Sequence, residues 1–137
     1  MFFLNFFSYG FIIKKEMLMI KGIGTDIIEI DRIENIMGKS NFINRCFTEN
    51  EIEYLRNKNP ESTAGYFCAK EAVSKALGTG FSGFCVKDIE IIKKDSAPFI
   101  VLHNKALEIA DGKGIKNIHI SISHCRDYAI AYAVAEG

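Results

Sequence analysis

The segment from Asn59 to Gly80 limits the fold more than any other part of the chain. Asn59 is a natural helix cap, Pro60 suits a first helical turn, and Glu61 favours the positive end of the helix dipole. Ala69, Ala72, Val73 and Ala76 then recur at helical spacing and form one stripe. Side chains this small let a helix pack very closely on a sheet. Gly78 supplies the stop. The chain must therefore build a sheet that accepts a long helix at short range.

The same helix carries chemistry. Glu71 and Lys75 lie four residues apart, so they leave one face one turn apart. Gly78, Thr79 and Gly80 follow as a flexible turn. A carboxylate can hold a hard cation, a lysine can meet a phosphate oxygen, and glycines let backbone approach a ligand. An exposed Glu71–Lys75 pair worth a few tenths of a kcal/mol is the competing reading. These residues alone leave both open.

A second segment, Gly22 to Ile30, reads as a strand. Ile23, Thr25 and Ile27 point one way; Gly22, Gly24 and Asp26 point the other. Glycine within a strand marks a bulge or a close approach. The two glycines clear the face bearing Asp26 for a ligand, or they make a packing surface with Asp26 capping the next helix.

The remaining pattern completes an α+β domain. Ile20 to Ile28 reads as a strand, Asp26 to Met37 as a helix, and Phe42 to Phe47 as a helical turn. Thr48 and Glu51 form a capping box for a helix running to about Asn57. Val86 to Lys93 and Pro98 to His103 read as strands joined by a polar turn, and Asn104 caps a helix to Asp111. Ile115 to Ser123 and Tyr128 to Val134 alternate as strands of a hairpin. The expected fold is a mainly antiparallel sheet packed against the long central helix.

At 137 residues the chain is expected to form one domain. Its formal net charge of zero gives no global basic field, so nucleic acid is not an expected partner. Cys46, Cys68, Cys85 and Cys125 lack zinc-type spacing and read as reduced thiols of a cytoplasmic protein. Residues 1–16 open with an apolar run, Met1 to Ile13, that is shorter than the roughly 20 residues of a membrane span, and they lack secretory-signal features. They are read as an extension outside a domain at 17–137, with no membrane partner; an interfacial anchor is the alternative.

Three motifs carry a resemblance. Gly22 to Asp26 followed by Arg32-Ile33, Phe67 through Gly80, and Ser121-Ile122-Ser123-His124 with Tyr128-Ala129 stand in order along residues 19 to 135. Together they resemble the holo-acyl-carrier-protein synthases, the small class of 4′-phosphopantetheinyl transferases. The resemblance implies that 4′-phosphopantetheine passes from coenzyme A to a serine of acyl carrier protein, in support of fatty acid biosynthesis. It implies a Mg2+ held by Asp26 and Glu71, with Asp26, Glu71 and Lys75 as the catalytic set. By the same resemblance Lys75, Gly78, Gly80, Ser123 and His124 meet coenzyme A. Basic residues Arg32 and Arg45 receive the acidic carrier, and the molecule is a homotrimer with sites between subunits. A non-catalytic coenzyme A or nucleotide module is the alternative, but it would not need two separated carboxylates. Two positions depart from the family pattern: Tyr66 stands where arginine is common, and Ala97 where lysine is common. They put the contacts to the nucleotide's 3′-phosphate in question.

Overall fold

Strand β1 (Ile20–Glu29) runs straight into helix α1 (Ile30–Met37), followed by α2 (Phe42–Cys46), α3 (Glu49–Leu55) and the long α4 (Pro60–Ala76). A 3-10 turn (Val86–Asp88) leads into β2 (Ile89–Lys94) and β3 (Ala97–Leu102). Helix α5 (Asn104–Gly112) and strands β4 (Asn117–His124) and β5 (Tyr128–Glu136) complete the chain. These elements come from a computed structural model that describes residues 17–39, 41–95 and 97–137. The expected extension at 1–16 lies outside the described residues.

The expected α+β architecture is present, with two antiparallel sheets. One is three-stranded in the order β1-β5-β4, and the other is the β2-β3 hairpin. Ala129, Ala131, Ala133 and Ala135 of β5 are all buried, as are Ala69, Ala72, Val73 and Ala76 of α4. The helix thus meets the sheet through methyl groups.

Gly22 and Gly24 make this proximity possible. A Cβ on Gly22 would sit 2.0 Å from the Ala76 carbonyl oxygen, and one on Gly24 would sit 1.9 Å from that of Ala72. Real Cβ atoms do not approach backbone so closely, so only glycine fits without moving the helix. The face cleared by these glycines is filled by α4. Of the two readings left open by the sequence, packing is the one that holds for Gly22 and Gly24.

That contact yields the first expected outcome. Gly24→Ala must push α4 off β1, an overpacking that costs about 3 kcal/mol. Urea denaturation should show it as a lowered midpoint. An unchanged midpoint would mean that the strand shifts freely beneath the helix.

Several local expectations shift. Helix α1 starts at Ile30, four residues after Asp26, because the strand continues through Glu29 in register with β5. Asp26 lies opposite Ala131 within the ladder and caps no helix. His103, not Asn104, occupies the cap of α5. Asn104 has a positive φ of 47° and donates from Nδ2 to Asp88 Oδ1 at 3.1 Å. The capping box of α3 is present: the Glu51 amide donates to Thr48 Oγ1, and Glu51 Oε2 accepts from the Thr48 amide.

Glu51 does more than cap. It forms an ion pair with Lys70 of α4 at 2.8 Å, with both side chains fully buried. Glu51 Oε1 also accepts from the Ile91 amide of β2 at 2.8 Å. Lys70 Nζ donates to the Ile89 carbonyl at 2.5 Å and the Val86 carbonyl at 3.5 Å. Burial pushes the Lys70 ammonium below its ordinary value, while the Glu51 charge opposes that shift. A charge this deep is tolerated only because its hydrogen bonds are satisfied. The cluster ties α3, α4 and β2 together next to Glu71.

Candidate active site

Helix α4 lies across β1, so the contact at Gly22 and Gly24 brings Asp26 to the middle of the helix. Lys75 Nζ pairs with Asp26 Oδ1 at 3.0 Å and donates to the Thr25 carbonyl at 2.8 Å. Lys75 therefore reaches across to the strand; its partner is Asp26, not the Glu71 expected of an exposed helical pair. Burial pushes the Glu71 carboxyl up, and the nearby Asp26 charge adds to this while Lys75 opposes it. Asp26, Glu71 and Lys75, predicted from two distant segments, form one electrostatic cluster.

Cys68 lies fully buried beneath the cluster and donates from Sγ to the Ala129 carbonyl at 3.4 Å. Burial, with the negative Asp26 and Glu71, pushes its thiol up to about 12. It is a neutral packing residue and no nucleophile. All four cysteines are free, as expected.

The donor set suits a hard, oxygen-seeking cation. Among the described residues, no three His, Cys, Asp or Glu side chains gather into a metal-binding group. Two carboxylates without nitrogen or sulfur fit magnesium, which keeps waters and takes phosphate oxygens beside one or two carboxylates. A structural zinc site would need four close ligands.

The turn after α4 is built for backbone, not side chains. Gly78 and Gly80 have φ values of 81° and 56°, and the Gly78 amide donates to the Lys75 carbonyl at 2.9 Å. Lys113 Nζ, which the sequence reading did not single out, donates to the Leu77 carbonyl and supports the turn from outside.

A cavity of about 430 Å³ opens beside the N-terminal half of α4. Its wall includes Tyr66, Lys93, Pro98, Ile122 and His124. His124 thus reaches a ligand-sized space, whereas Ser123 is exposed and lies off that wall. Arg32 on α1 and Arg45 on α2 are exposed and make no ion pair among the described residues. Ile36 and Met37 beside Arg32 are partly buried against the core.

The model of the 4′-phosphopantetheinyl transferase superfamily matches residues 22–133. The chain belongs to this superfamily. Its relatives agree in sequence and shape. It is 55% identical over 122 residues to the holo-[acyl-carrier-protein] synthase of Clostridium kluyveri, covering 86% of this chain and 91% of that one. Helicobacter pylori holo-[acyl-carrier-protein] synthase in complex with coenzyme A is 39% identical, with a TM-score of 0.74 over 82% of this chain and 98% of that one. The Bacillus anthracis holo-(acyl-carrier-protein) synthase in complex with CoA (3′,5′-ADP) is 38% identical. Its TM-score is 0.73 over 87% of this chain and 98% of that one. As in these transferases, the long helix and antiparallel strands make one α+β fold.

Proposed function

We propose that this chain transfers 4′-phosphopantetheine from coenzyme A to a serine of acyl carrier protein, a step that supports fatty acid biosynthesis. The serine oxygen attacks the diphosphate phosphorus nearer the pantetheine. The bond to the bridging oxygen breaks, and adenosine 3′,5′-bisphosphate leaves. The observation that carries this reading is the convergence of Asp26, Glu71 and Lys75 across the β1–α4 contact. A binding module would gain nothing from two carboxylates held against an ammonium. The test is mass spectrometry of an apo acyl carrier protein incubated with the chain, coenzyme A and magnesium. Gain of one phosphopantetheine per carrier supports the reading, and an unchanged mass refutes it.

Each group has a task. Asp26 and Glu71 would hold Mg2+, which when bound neutralises charge on the diphosphate. Lys75 exchanges its pairing with Asp26 for a phosphate oxygen and steadies the leaving group. Gly78 and Gly80 present backbone to the nucleotide, and His124 meets it from the end of β4, while Ser123, off that wall, is left without a role on this chain's side of the site. Phosphoryl transfers depend mainly on such positioning and charge neutralisation. The serine proton would pass to a water in the site or, through one, to Glu71.

The carrier is the acidic partner, and Arg32 and Arg45 supply unpaired cations for it. Arg32→Glu is expected to raise the carrier KM by about a hundredfold, since like charges at a close contact cost several kcal/mol. The KM for coenzyme A should stay within about twofold. Rising salt should slow the wild-type reaction, because exposed charges are screened beyond about 8–10 Å. Equal changes in both KM values would move the docking surface elsewhere.

An uncovered face supports a homotrimeric assembly. Ile23, Ile27, Tyr128 and Tyr132 are 71%, 62%, 44% and 57% exposed on the side of the three-stranded sheet away from α4. An apolar sheet face of this kind calls for a partner, and the family resemblance makes it two further copies of the chain in a homotrimer. Light scattering should give three times the chain mass, and Tyr132→Glu should shift it to one. We place the catalytic domain at 17–137 in the cytoplasm; a chain lacking residues 1–16 that keeps full transfer would bear out that boundary.

A further inference from the structure

Helix α4 ends on the wrong charge for an anionic ligand. A helix C-terminus carries the negative end of the dipole and a set of unpaired carbonyls, so it repels phosphate. Many anion sites correct such a field with free amides in the adjoining turn. The turn after α4 has none to give. The Gly78 amide donates to the Lys75 carbonyl at 2.9 Å, and the Thr79 and Gly80 amides donate to the Ser74 carbonyl at 3.4 and 3.1 Å. The Thr79 hydroxyl donates to the Gly80 carbonyl at 2.8 Å. Lys75, the basic residue of the last helical turn, is paired with Asp26.

A cation is brought in from another element. Lys113 follows α5, and its amide donates to the Ile109 and Ala110 carbonyls at 3.2 and 3.1 Å, which fixes its backbone. Its side chain crosses to α4 and donates from Nζ to the Leu77 carbonyl. A Cβ on Gly78 would sit 2.9 Å from that nitrogen, so the ammonium lies against the glycine itself. A cation in this place offsets the negative end of the dipole. An ammonium also has three donors, so one hydrogen bond to Leu77 does not exhaust it.

We infer that Lys113 is a positioning residue that lets the C-terminus of α4 accept a negatively charged nucleotide, by holding the Leu77 carbonyl and making the field at Gly78 positive. This rests on the coenzyme A reading above, in which Gly78 and Gly80 face the nucleotide. Lys75 and Lys113 then divide one task. Lys75 meets phosphate beside the two carboxylates, and Lys113 keeps the turn from repelling the same ligand.

Calorimetric titration of the full chain with adenosine 3′,5′-bisphosphate tests this without requiring turnover. At about 0.05 M salt, Lys113→Met should bind about fivefold more weakly than wild type, the size expected of one cation at a helix C-terminus. Lys113→Gln keeps a donor for the Leu77 carbonyl but has no charge, and it should lose as much. Lys113→Arg should recover wild-type binding to within about twofold. At about 1 M salt the loss should fall below about twofold, because exposed charges are then screened beyond about 3 Å. A role confined to bracing the turn predicts the opposite: Lys113→Gln would bind like wild type, and salt would leave any loss unchanged. Lys105→Met removes an equal charge from the far end of α5 and should change nothing. In steady state, Lys113→Gln should raise the KM for coenzyme A about fivefold and leave kcat and the carrier KM within about twofold. Wild-type binding by Lys113→Gln overturns the inference. So does a loss matched by Lys105→Met, or one that persists in full at high salt. Wild type that binds no bisphosphate would overturn the coenzyme A reading itself, so the two failures are distinguishable.

Discussion

Asp26→Ala and Glu71→Ala are each expected to lose transfer by at least about 10³-fold at saturating magnesium while remaining folded. Asp26 and Glu71 come from different elements, and neither belongs to the methyl-lined contact between α4 and β5. Losing one ligand of a two-carboxylate site removes several kcal/mol of charge stabilisation from the transition state, and each 1.36 kcal/mol is tenfold in rate. The conservative Asp26→Asn should fail nearly as badly, since an amide keeps the shape but not the charge. Single-turnover transfer, followed by carrier mass, reads the effect. Circular dichroism checks the fold. A folded variant with near wild-type turnover would remove that carboxylate from the proposed site.

The second large effect is on stability. Lys70→Met strands the Glu51 carboxylate in the core, and breaking a buried pair from one side costs about 3–5 kcal/mol. That is a large share of the 5–15 kcal/mol available to a typical domain. The double variant Lys70→Met with Glu51→Gln should lose clearly less than the two single losses added together. Glutamine keeps an acceptor for the Ile91 amide and leaves no charge unpaired. Additive losses in chemical denaturation would show that the two groups act separately.

What the sequence made legible was whatever short-range pattern controls. The capping box at Thr48 and Glu51, the proline-led start of α4 and the alternation of Ile118, Ile120 and Ile122 each depend on neighbours a few residues apart. The family motifs then joined β1 to α4. What stayed hidden depended on distant partners. Whether Asp26 ends a strand or begins a helix is settled by pairing with Ala131, more than a hundred residues away. The Lys70–Glu51 ion pair has no local signature beyond the capping box, because nothing near either residue in the chain shows that β2 closes over them. Likewise, the cavity at Tyr66 is assembled from α4, the β2–β3 hairpin and β4, and no single segment announces it.

Lys70 and Glu71 are consecutive, so their side chains leave the α4 axis about 100° apart. Apart from the Lys75–Asp26 pair and the Cys68–Ala129 hydrogen bond, α4 rests on the sheet through alanine methyls, which do little to stop it turning on its axis like a roller. The Lys70 ammonium, locked to Glu51 and to the carbonyls of Val86 in the 3-10 turn and Ile89 in β2, acts as a key in a keyway. Side chains extend roughly 5–6 Å from the axis, so a rotation of about 10° would carry the Glu71 carboxylate about 1 Å away from Asp26. Misplacement on that scale costs on the order of 10²-fold in rate. The angular setting of the carboxylate pair is thus held from inside the core, and a Lys70 variant that still folds would turn over slowly with every proposed ligand in place.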